Sequence, residues 1–154
     1  MDLSDILRPD AVRTVSNLTS KKRLFQELGD IAASVYGLTP SDTVDALLER
    51  ESLGPTGVGK GIALPHARLS GLTDVAVIFL RFEKPLEFDA VDRQPLDLVF
   101  ALFAPSESGV DHLKALALVS RTLRDAAVCA KLRANLDPAT LHAVLTEAPA
   151  SEAA

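Results

Sequence analysis

The residue of this sequence best placed for chemistry is His66, which ends the segment GIALPH and directly follows Pro65. The proline ring fixes its own φ angle and forces Leu64 toward an extended conformation, so the backbone that presents the histidine is rigid. A neutral imidazole, with an unperturbed pKa of about 6.5, is an available nucleophile near neutral pH. We therefore predict that His66 is a functional histidine, and a phosphoryl group is one group that such a nucleophile can carry.

A phosphoryl group on histidine needs placed positive charge and hydrogen-bond donors, because its oxygens share negative charge. Arg50 lies at the C-terminal end of a predicted helix, and His112 lies in the first turn of a later one, where free N–H groups and the helix dipole favour an anion. Judged alone, Arg50 is typical of a solvated helix-end cation and His112 of a surface residue. The third histidine, His142, falls beside an apolar stripe, which predicts a solvated or rim position.

A metal site formed by His66 and His112 is possible in principle. Neither histidine has a neighbouring ligand at the usual short spacing, however, and the lone cysteine is elsewhere in the chain. We expect no metal and no cofactor.

A glycine-rich segment separates Arg50 from His66. Residues 54–60 match the first seven positions of the nucleotide phosphate loop G-x-x-x-x-G-K-[ST], but Gly61 stands where the Mg²⁺-binding hydroxyl is needed. A helix precedes this segment and a strand follows it, the reverse of the nucleotide-binding order. Nucleotide hydrolysis is therefore disfavoured. The glycines still let backbone N–H groups approach an anion, and a connector that needs tight turns is the other interpretation.

The elements that position these residues mix strands and helices, which predicts a layered α/β domain. The runs at 75–82 and 96–103 are apolar on both alternating faces, as in central strands covered on both sides. We assign residues 1–148 to this single domain and residues 149–154 to a frayed C-terminal tail. The other predicted elements are a strand at 12–15, a helix between Ser20 as N-cap and Gly37, a helix opened by Thr39 and Pro40 that ends near 50–53, the glycine loop at 54–61, a short strand at 62–64 with His66 just past its end, an irregular segment or edge strand at 83–94, and helices at 111–124, 126–136 and 138–147.

The composition excludes some classes of function for this protein. The 154 residues carry a net charge of −5, which argues against nucleic-acid binding. The apolar runs are far shorter than the roughly 20 residues that span a bilayer, and the acidic N-terminus does not resemble a secretory signal, so we expect a cytoplasmic chain without membrane insertion. The single cysteine, Cys129, is predicted to be a small buried residue of a helix.

Residues 47–66, LLERESLGPTGVGKGIALPH, closely resemble the signature of the fructose/mannitol-type enzyme IIA proteins of the bacterial phosphoenolpyruvate-dependent phosphotransferase system. The segment FALFAP at 100–105, followed by His112 and a helix, also matches that family. The resemblance spans about residues 3–145 and implies a mixed β-sheet with helices on both faces. Two residues depart from the family pattern: Pro55 stands where serine is frequent, and Lys60 where asparagine is usual. Lys60 could add charge near a phosphate or point to solvent.

The resemblance implies a phosphotransferase component with His66 as phosphoryl acceptor. It makes His112 the second active-site histidine, which supports the phosphorylated state, and Arg50 the cation of the site. The phosphate loop beside the site would include Thr56, Gly57 and Gly59.

Within the family, a chain of this length without fused domains resembles the nitrogen-regulatory branch. Such a protein accepts phosphate from a histidine-containing phosphocarrier protein and regulates partner proteins according to its phosphorylation state. The alternatives are a sugar-specific IIA component that passes phosphate to a IIB domain, and a binding module that keeps only the fold.

Overall fold

The structure is a computed structural model that describes residues 1–16, 18–87, 92–107 and 109–153, the last six of these as backbone only. The helices and strands in chain order are α1 (Leu3–Ile6), a 3₁₀ turn (Pro9–Ala11), β1 (Val12–Val15), α2 (Lys21–Tyr36), α3 (Pro40–Ser52), β2 (Gly57–Gly59), β3 (Ile62–Ala63), β4 (His66–Leu69), β5 (Ala76–Leu86), β6 (Leu96–Pro105), α4 (Val110–Arg124), α5 (Ala126–Arg133) and α6 (Pro138–Ala153).

The six strands form one mixed sheet in the order β1-β5-β6-β3-β2, with β4 pairing the far half of β6. Strand β6 is antiparallel to β5 and parallel to both β3 and β4. Consecutive residues of β5 and β6 are buried, and neighbouring side chains of a strand point to opposite faces of the sheet. Both faces are therefore covered, which confirms the predicted α/β domain with helices on both sides of a mixed sheet.

The helix ends follow the signals in the sequence. The Ser20 side chain accepts a hydrogen bond from the backbone N–H of Arg23, and Gly37 ends α2 in the left-handed conformation with φ 70°. Such a conformation suits glycine because it has no Cβ. Helix α3 begins with Pro40 and ends at Ser52, so Arg50 lies in its last turn, as predicted.

The strand that carries His66 was not predicted. His66 does follow β3, but it also opens β4, and both strands run along β6 in one register: Ala63 lies opposite Val99 and His66 opposite Leu102. Between them, the carbonyl of Pro65 accepts a hydrogen bond from the Leu102 N–H. His66 is thus held in an extended segment fixed to a central strand.

The expectation that residues 54–61 form only a loop is wrong. Residues Gly57–Gly59 form β2, which pairs antiparallel with β3, so tertiary pairing overrides the low strand preference of glycine. The separate edge strand considered for 83–94 is also not seen. Residues 83–86 extend β5 because Leu86 pairs with Leu96, and residues 88–91 lie outside the described part of the chain.

The helices of the last third differ from prediction at their ends. Helix α5 stops at Arg133, three residues early, and α6 runs through Ala153, so the backbone predicted as a frayed tail is helical up to that residue. Ala154 and the side chains after Glu147 lie outside what the structure describes. The division into a domain of residues 1–148 and a tail stays a prediction. None of the described helices has the length and apolar character needed to cross a membrane.

Candidate active site around His66

His66 opens onto a cleft of about 330 Å³ between helices α3 and α4 and strand β4. The cleft is lined by Ala46, Glu49, Arg50, Leu53, His66, Ala67, Arg68 and His112. The three polar residues predicted to act together, Arg50, His66 and His112, therefore share one cavity although they come from three different elements.

The hydrogen bonds of His66 define its chemistry. Its Nδ1 lies 2.9 Å from the carbonyl oxygen of Leu64. A carbonyl can only accept, so Nδ1 carries the proton, and the lone pair of the neutral ring is on Nε2. Arg50 donates from Nε to this Nε2 at 3.3 Å. The nitrogen with the free electron pair is thus the one that faces the cation and the cleft.

Arg50 is held from two sides. Besides its contact with His66, its Nη1 donates to the carbonyl of Gly54 at 3.0 Å. The start of the glycine segment therefore fixes the guanidinium. Arg50 forms no ion pair with any residue that the structure describes, so its charge is available to an anion in the cleft.

His112 is the third residue of α4 and is 8% exposed. Its ring centroid lies 6.0 Å from that of His66. Burial lowers the pKa of His112 below its ordinary value, and repulsion from Arg68 and His66 lowers it further. Its Nδ1 is buried with no hydrogen-bond partner among the described residues, which is uncommon in folded proteins. The structure thus brings His112 close to His66, and the alternative interpretation of His112 as a surface residue is wrong. Its role in the site stays a prediction.

Arg68 is a cation of the cleft lining that sequence reasoning missed. It lies two residues after His66 on β4, so both side chains point to the same side of the strand. The alternation of a strand would have signalled it, but the strand itself was not predicted.

The predicted phosphate loop is not part of this cleft. None of Thr56, Gly57 and Gly59 lines it. The N–H and hydroxyl of Thr56 both donate to the carboxylate of Glu51, the hydroxyl at 2.5 Å, and this carboxylate also pairs with Lys21 at 2.9 Å. These two donors of Thr56 are thus used inside the protein. The assignment of Thr56, Gly57 and Gly59 to a phosphate loop beside the site stays a prediction.

The C-terminal end of the loop, at Lys60, is also fixed by hydrogen bonds within the protein. Lys60 has φ 58°, its N–H donates to Asp92 at 2.9 Å, and its carbonyl accepts from Arg133. Arg133 in turn forms an ion pair with Asp97 at 2.7 Å. Lys60 does not line the His66 cleft, so its charge does not reinforce that site directly.

Two further predictions about single residues are confirmed. His142 is half-buried at the rim of the core, where its Nε2 lies 3.2 Å from the carbonyl of Leu7. Cys129 is buried in α5 as a free thiol whose pKa is raised by burial.

Within the described ranges there is no group of three or more His, Cys, Asp or Glu side chains arranged to hold a metal.

Exposed apolar side chains occur near both helices that border the cleft. Leu53, which directly follows α3, is 81% exposed and is part of the cleft lining. Leu48 on α3 is 40% exposed, and Val110 and Leu113 on α4 are each 64% exposed, but these three residues do not line the cleft.

Comparison with known proteins shows the family of the chain. Residues 5–148 match the family model described as "Phosphoenolpyruvate-dependent sugar phosphotransferase system, EIIA 2". A "Nitrogen regulatory protein" of Bradyrhizobium diazoefficiens is 42% identical over 153 residues, which cover 99% of this chain and all of that protein.

Two solved structures show the same fold. The nitrogen regulatory protein IIA-Ntr of Neisseria meningitidis superposes with a TM-score of 0.84 at 31% identity, covering 92% of this chain and 97% of that one. The IIA mannitol protein of Escherichia coli gives a TM-score of 0.72 at 20% identity, covering 88% and 96% of the two chains.

Proposed function

Because the chain belongs to the EIIA 2 family of the phosphoenolpyruvate-dependent sugar phosphotransferase system, we propose that it is a phosphocarrier that accepts a phosphoryl group on Nε2 of His66. The observation that carries this proposal is the hydrogen-bond pattern of His66, which leaves the Nε2 lone pair next to Arg50 in an open cleft.

The transfer step follows from that pattern. The Nε2 lone pair of His66 attacks the phosphorus of a donor phosphohistidine, and a new P–N bond forms as the donor's P–N bond breaks. The electron pair of the broken bond returns to the donor's imidazole nitrogen. The proton of His66 stays on Nδ1, which donates a hydrogen bond to the Leu64 carbonyl throughout. No separate base is needed because the attacking nitrogen carries no proton.

The neighbouring residues lower the energy of this step by placed charge. Arg50 already contacts Nε2, and its guanidinium can shift from that nitrogen to the oxygens of an arriving phosphoryl group. His112, from the opposite helix, brings an imidazole 6.0 Å from the acceptor ring, within reach of the same oxygens. Since burial keeps His112 neutral, it offers one N–H donor and adds no repulsion toward Arg50 in the empty site.

A protein donor is supported by an exposed apolar side chain in the wall of the cleft. Leu53, which directly follows α3, lines the cleft and is 81% exposed. It would pack against a partner that brings its own phosphohistidine to His66, which is the arrangement expected for a histidine-containing phosphocarrier protein. Apart from its ionisable residues, the lining of the cleft has few polar groups that could bind a free sugar.

We assign the chain to the nitrogen-regulatory branch, in which the phosphorylation state of His66 controls binding to partner proteins in the cytoplasm. This choice is supported by relatives named nitrogen regulatory protein that match nearly the whole chain. The second candidate is a sugar-branch component that hands the phosphoryl group to a IIB domain. It has the support of the shared fold of the mannitol IIA protein.

The test is phosphorylation by a purified nitrogen-system carrier that has been charged with phosphate. Intact-mass spectrometry should show one added phosphoryl group on the wild type, lost in acid as expected of a P–N bond. His66→Ala should take up none, and the control variant His142→Ala should be labelled like the wild type. Full labelling of His66→Ala would refute the acceptor assignment. Faster charging by the sugar-system carrier than by the nitrogen-system carrier would favour the second candidate.

A further inference from the structure

Arg68 is a cation of the His66 cleft whose role remains open. It is exposed, it lines the same cavity as Arg50, His66 and His112, and it forms no ion pair with a described residue. Arginines of a surface strand usually lie along apolar surface or pair with an acid. Here the side chain belongs to the wall of a polar cavity instead.

The backbone of Arg68 is as firmly placed as that of His66. Both belong to β4, whose four residues pair in parallel with Leu102 to Pro105 of β6. Because residues two apart on a strand point the same way, the guanidinium extends on the side where the His66 ring lies. Arg50 approaches the same ring from α3, so the two guanidinium groups reach the cleft from different elements.

The charges around the cleft are unbalanced when it is empty. Its titratable lining residues are Glu49, Arg50, His66, Arg68 and His112. Two permanent cations therefore face a single carboxylate, in a protein whose net charge is −5. The positive field of Arg68 is felt at His112, where it opposes protonation. The lining therefore has one net positive charge, which favours an anion in the cleft.

We propose that Arg68 is a second phosphoryl-binding residue of this cleft, which acts from the strand side as Arg50 acts from the helix side. The proposal rests on the proposed function and adds to it a residue and a chemical preference. A guanidinium presents two parallel N–H donors that match two phosphoryl oxygens, so arginine should serve better than lysine.

The structure offers a matched control. Arg121, in the last turn of α4, is also exposed but does not line the cleft. Arg121→Gln removes the same charge as Arg68→Gln from the same protein without touching the site. Arg68→Lys keeps the charge and removes the fork.

The experiment measures, in the three variants and the wild type, the rate of phosphoryl transfer to His66 and the half-life of the phosphohistidine. For Arg68→Gln we expect transfer slower by about 10- to 100-fold, the factor that one charge-assisted hydrogen bond provides. Its phosphohistidine should also hydrolyse at an altered rate. Arg68→Lys should transfer at a rate between those of Arg68→Gln and the wild type. Arg121→Gln should match the wild type in both measurements.

A second readout needs no phosphorylation. NMR titration of the His112 ring in the unphosphorylated protein should show a higher pKa in Arg68→Gln than in Arg121→Gln, because a facing cation has been removed. If the wild type is labelled and Arg68→Gln matches Arg121→Gln in transfer rate and in phosphohistidine half-life, the role of Arg68 is refuted while the proposed function stands. If the wild type takes up no phosphate, the proposed function and the role of Arg68 are both refuted.

Discussion

The cleft around His66 and the glycine loop beside it differ in what their polar groups are bonded to. In the loop, the donors of Thr56 and the N–H of Lys60 are paired with Glu51 and Asp92. In the cleft, Arg50 and Arg68 lack ion pairs among the described residues, and the buried Nδ1 of His112 has no partner there. Both regions have residue types that are typical of an anion site. Of the groups compared, those of the cleft are the ones left available to bind a ligand. We therefore propose that the loop is a scaffold and that the cleft holds the ligand.

The largest effect that separates the two regions should come from Arg50→Gln. Removing the guanidinium next to Nε2 should slow phosphoryl transfer to His66 by about 100- to 1,000-fold, the cost typical of losing one preorganised charge-stabilising donor. The fold should persist because Arg50 has no ion pair to lose among the described residues. Single-turnover labelling measures the rate, and a circular dichroism spectrum checks the fold. Transfer slowed less than threefold, roughly the scatter of such rates, would remove Arg50 from the site.

Glu51→Ala should instead damage stability. The Glu51 side chain is 7% exposed and anchors Lys21 as well as both donors of Thr56. Its loss leaves buried donors unpaired, which should cost about 2 to 3 kcal/mol in the free energy of unfolding. Urea denaturation measures this cost.

Asp45→Ala is the control for Glu51, since Asp45 is an exposed acid of the same helix with no comparable contacts. It should change stability by less than about 0.5 kcal/mol. Equal stability of the Glu51→Ala and Asp45→Ala variants would show that the Glu51 network does not hold the loop.

Thr56→Val is the sharpest test of the loop itself, because it removes the hydroxyl and keeps the side-chain shape. Thr56 is 4% exposed and its hydroxyl is engaged by Glu51, so we expect a loss of about 1 kcal/mol in stability. The transfer rate should stay within about twofold of the wild type, as for a residue that does not contact the phosphoryl group. A transfer defect as large as that of Arg50→Gln would restore Thr56 to the phosphate site and overturn the distinction between loop and cleft.

The smallest effect concerns pH. The pKa of His112 is lowered in the folded protein, chiefly by burial. As pH falls through about 6.5 the unfolded chain binds a proton at this histidine while the folded protein does not, so the free energy of unfolding decreases across that window. His112→Gln should reduce the decrease between about pH 7.5 and pH 5.5, as measured by urea denaturation at the two values. An identical pH dependence in the variant and the wild type would contradict the lowered pKa.

Local signals in the sequence predicted the parts of the fold that depend on them. The cap at Ser20, the glycine at 37 and the spacing of apolar residues defined α2, and the apolar runs defined β5 and β6. Strand β4 was missed because its four residues have no distinctive pattern and take their extended form from pairing with β6, 36 residues away. For the same reason, Arg68 was not predicted to belong to the site.

The glycine loop shows the opposite kind of error. Its composition indicated an anion cradle, and nothing local reveals that Asp92 and the ion-paired Arg133 use its backbone groups. Such long-range pairings depend on the folded arrangement of β2, β3 and α5. Arg50 and His112 could be placed with His66 from the family resemblance, whereas their spacing alone left a helix-end cation and a surface histidine as alternatives.

The central claim is that Nε2 of His66 is the nucleophile, and ¹⁵N-labelled histidine with NMR detection of the phosphorylated protein tests it most directly. We predict that phosphorus is bonded to Nε2 of His66, with the Nδ1 proton retained against the carbonyl of Leu64. Phosphorus on Nδ1 of His66, or on either nitrogen of His112, would contradict this account of the site.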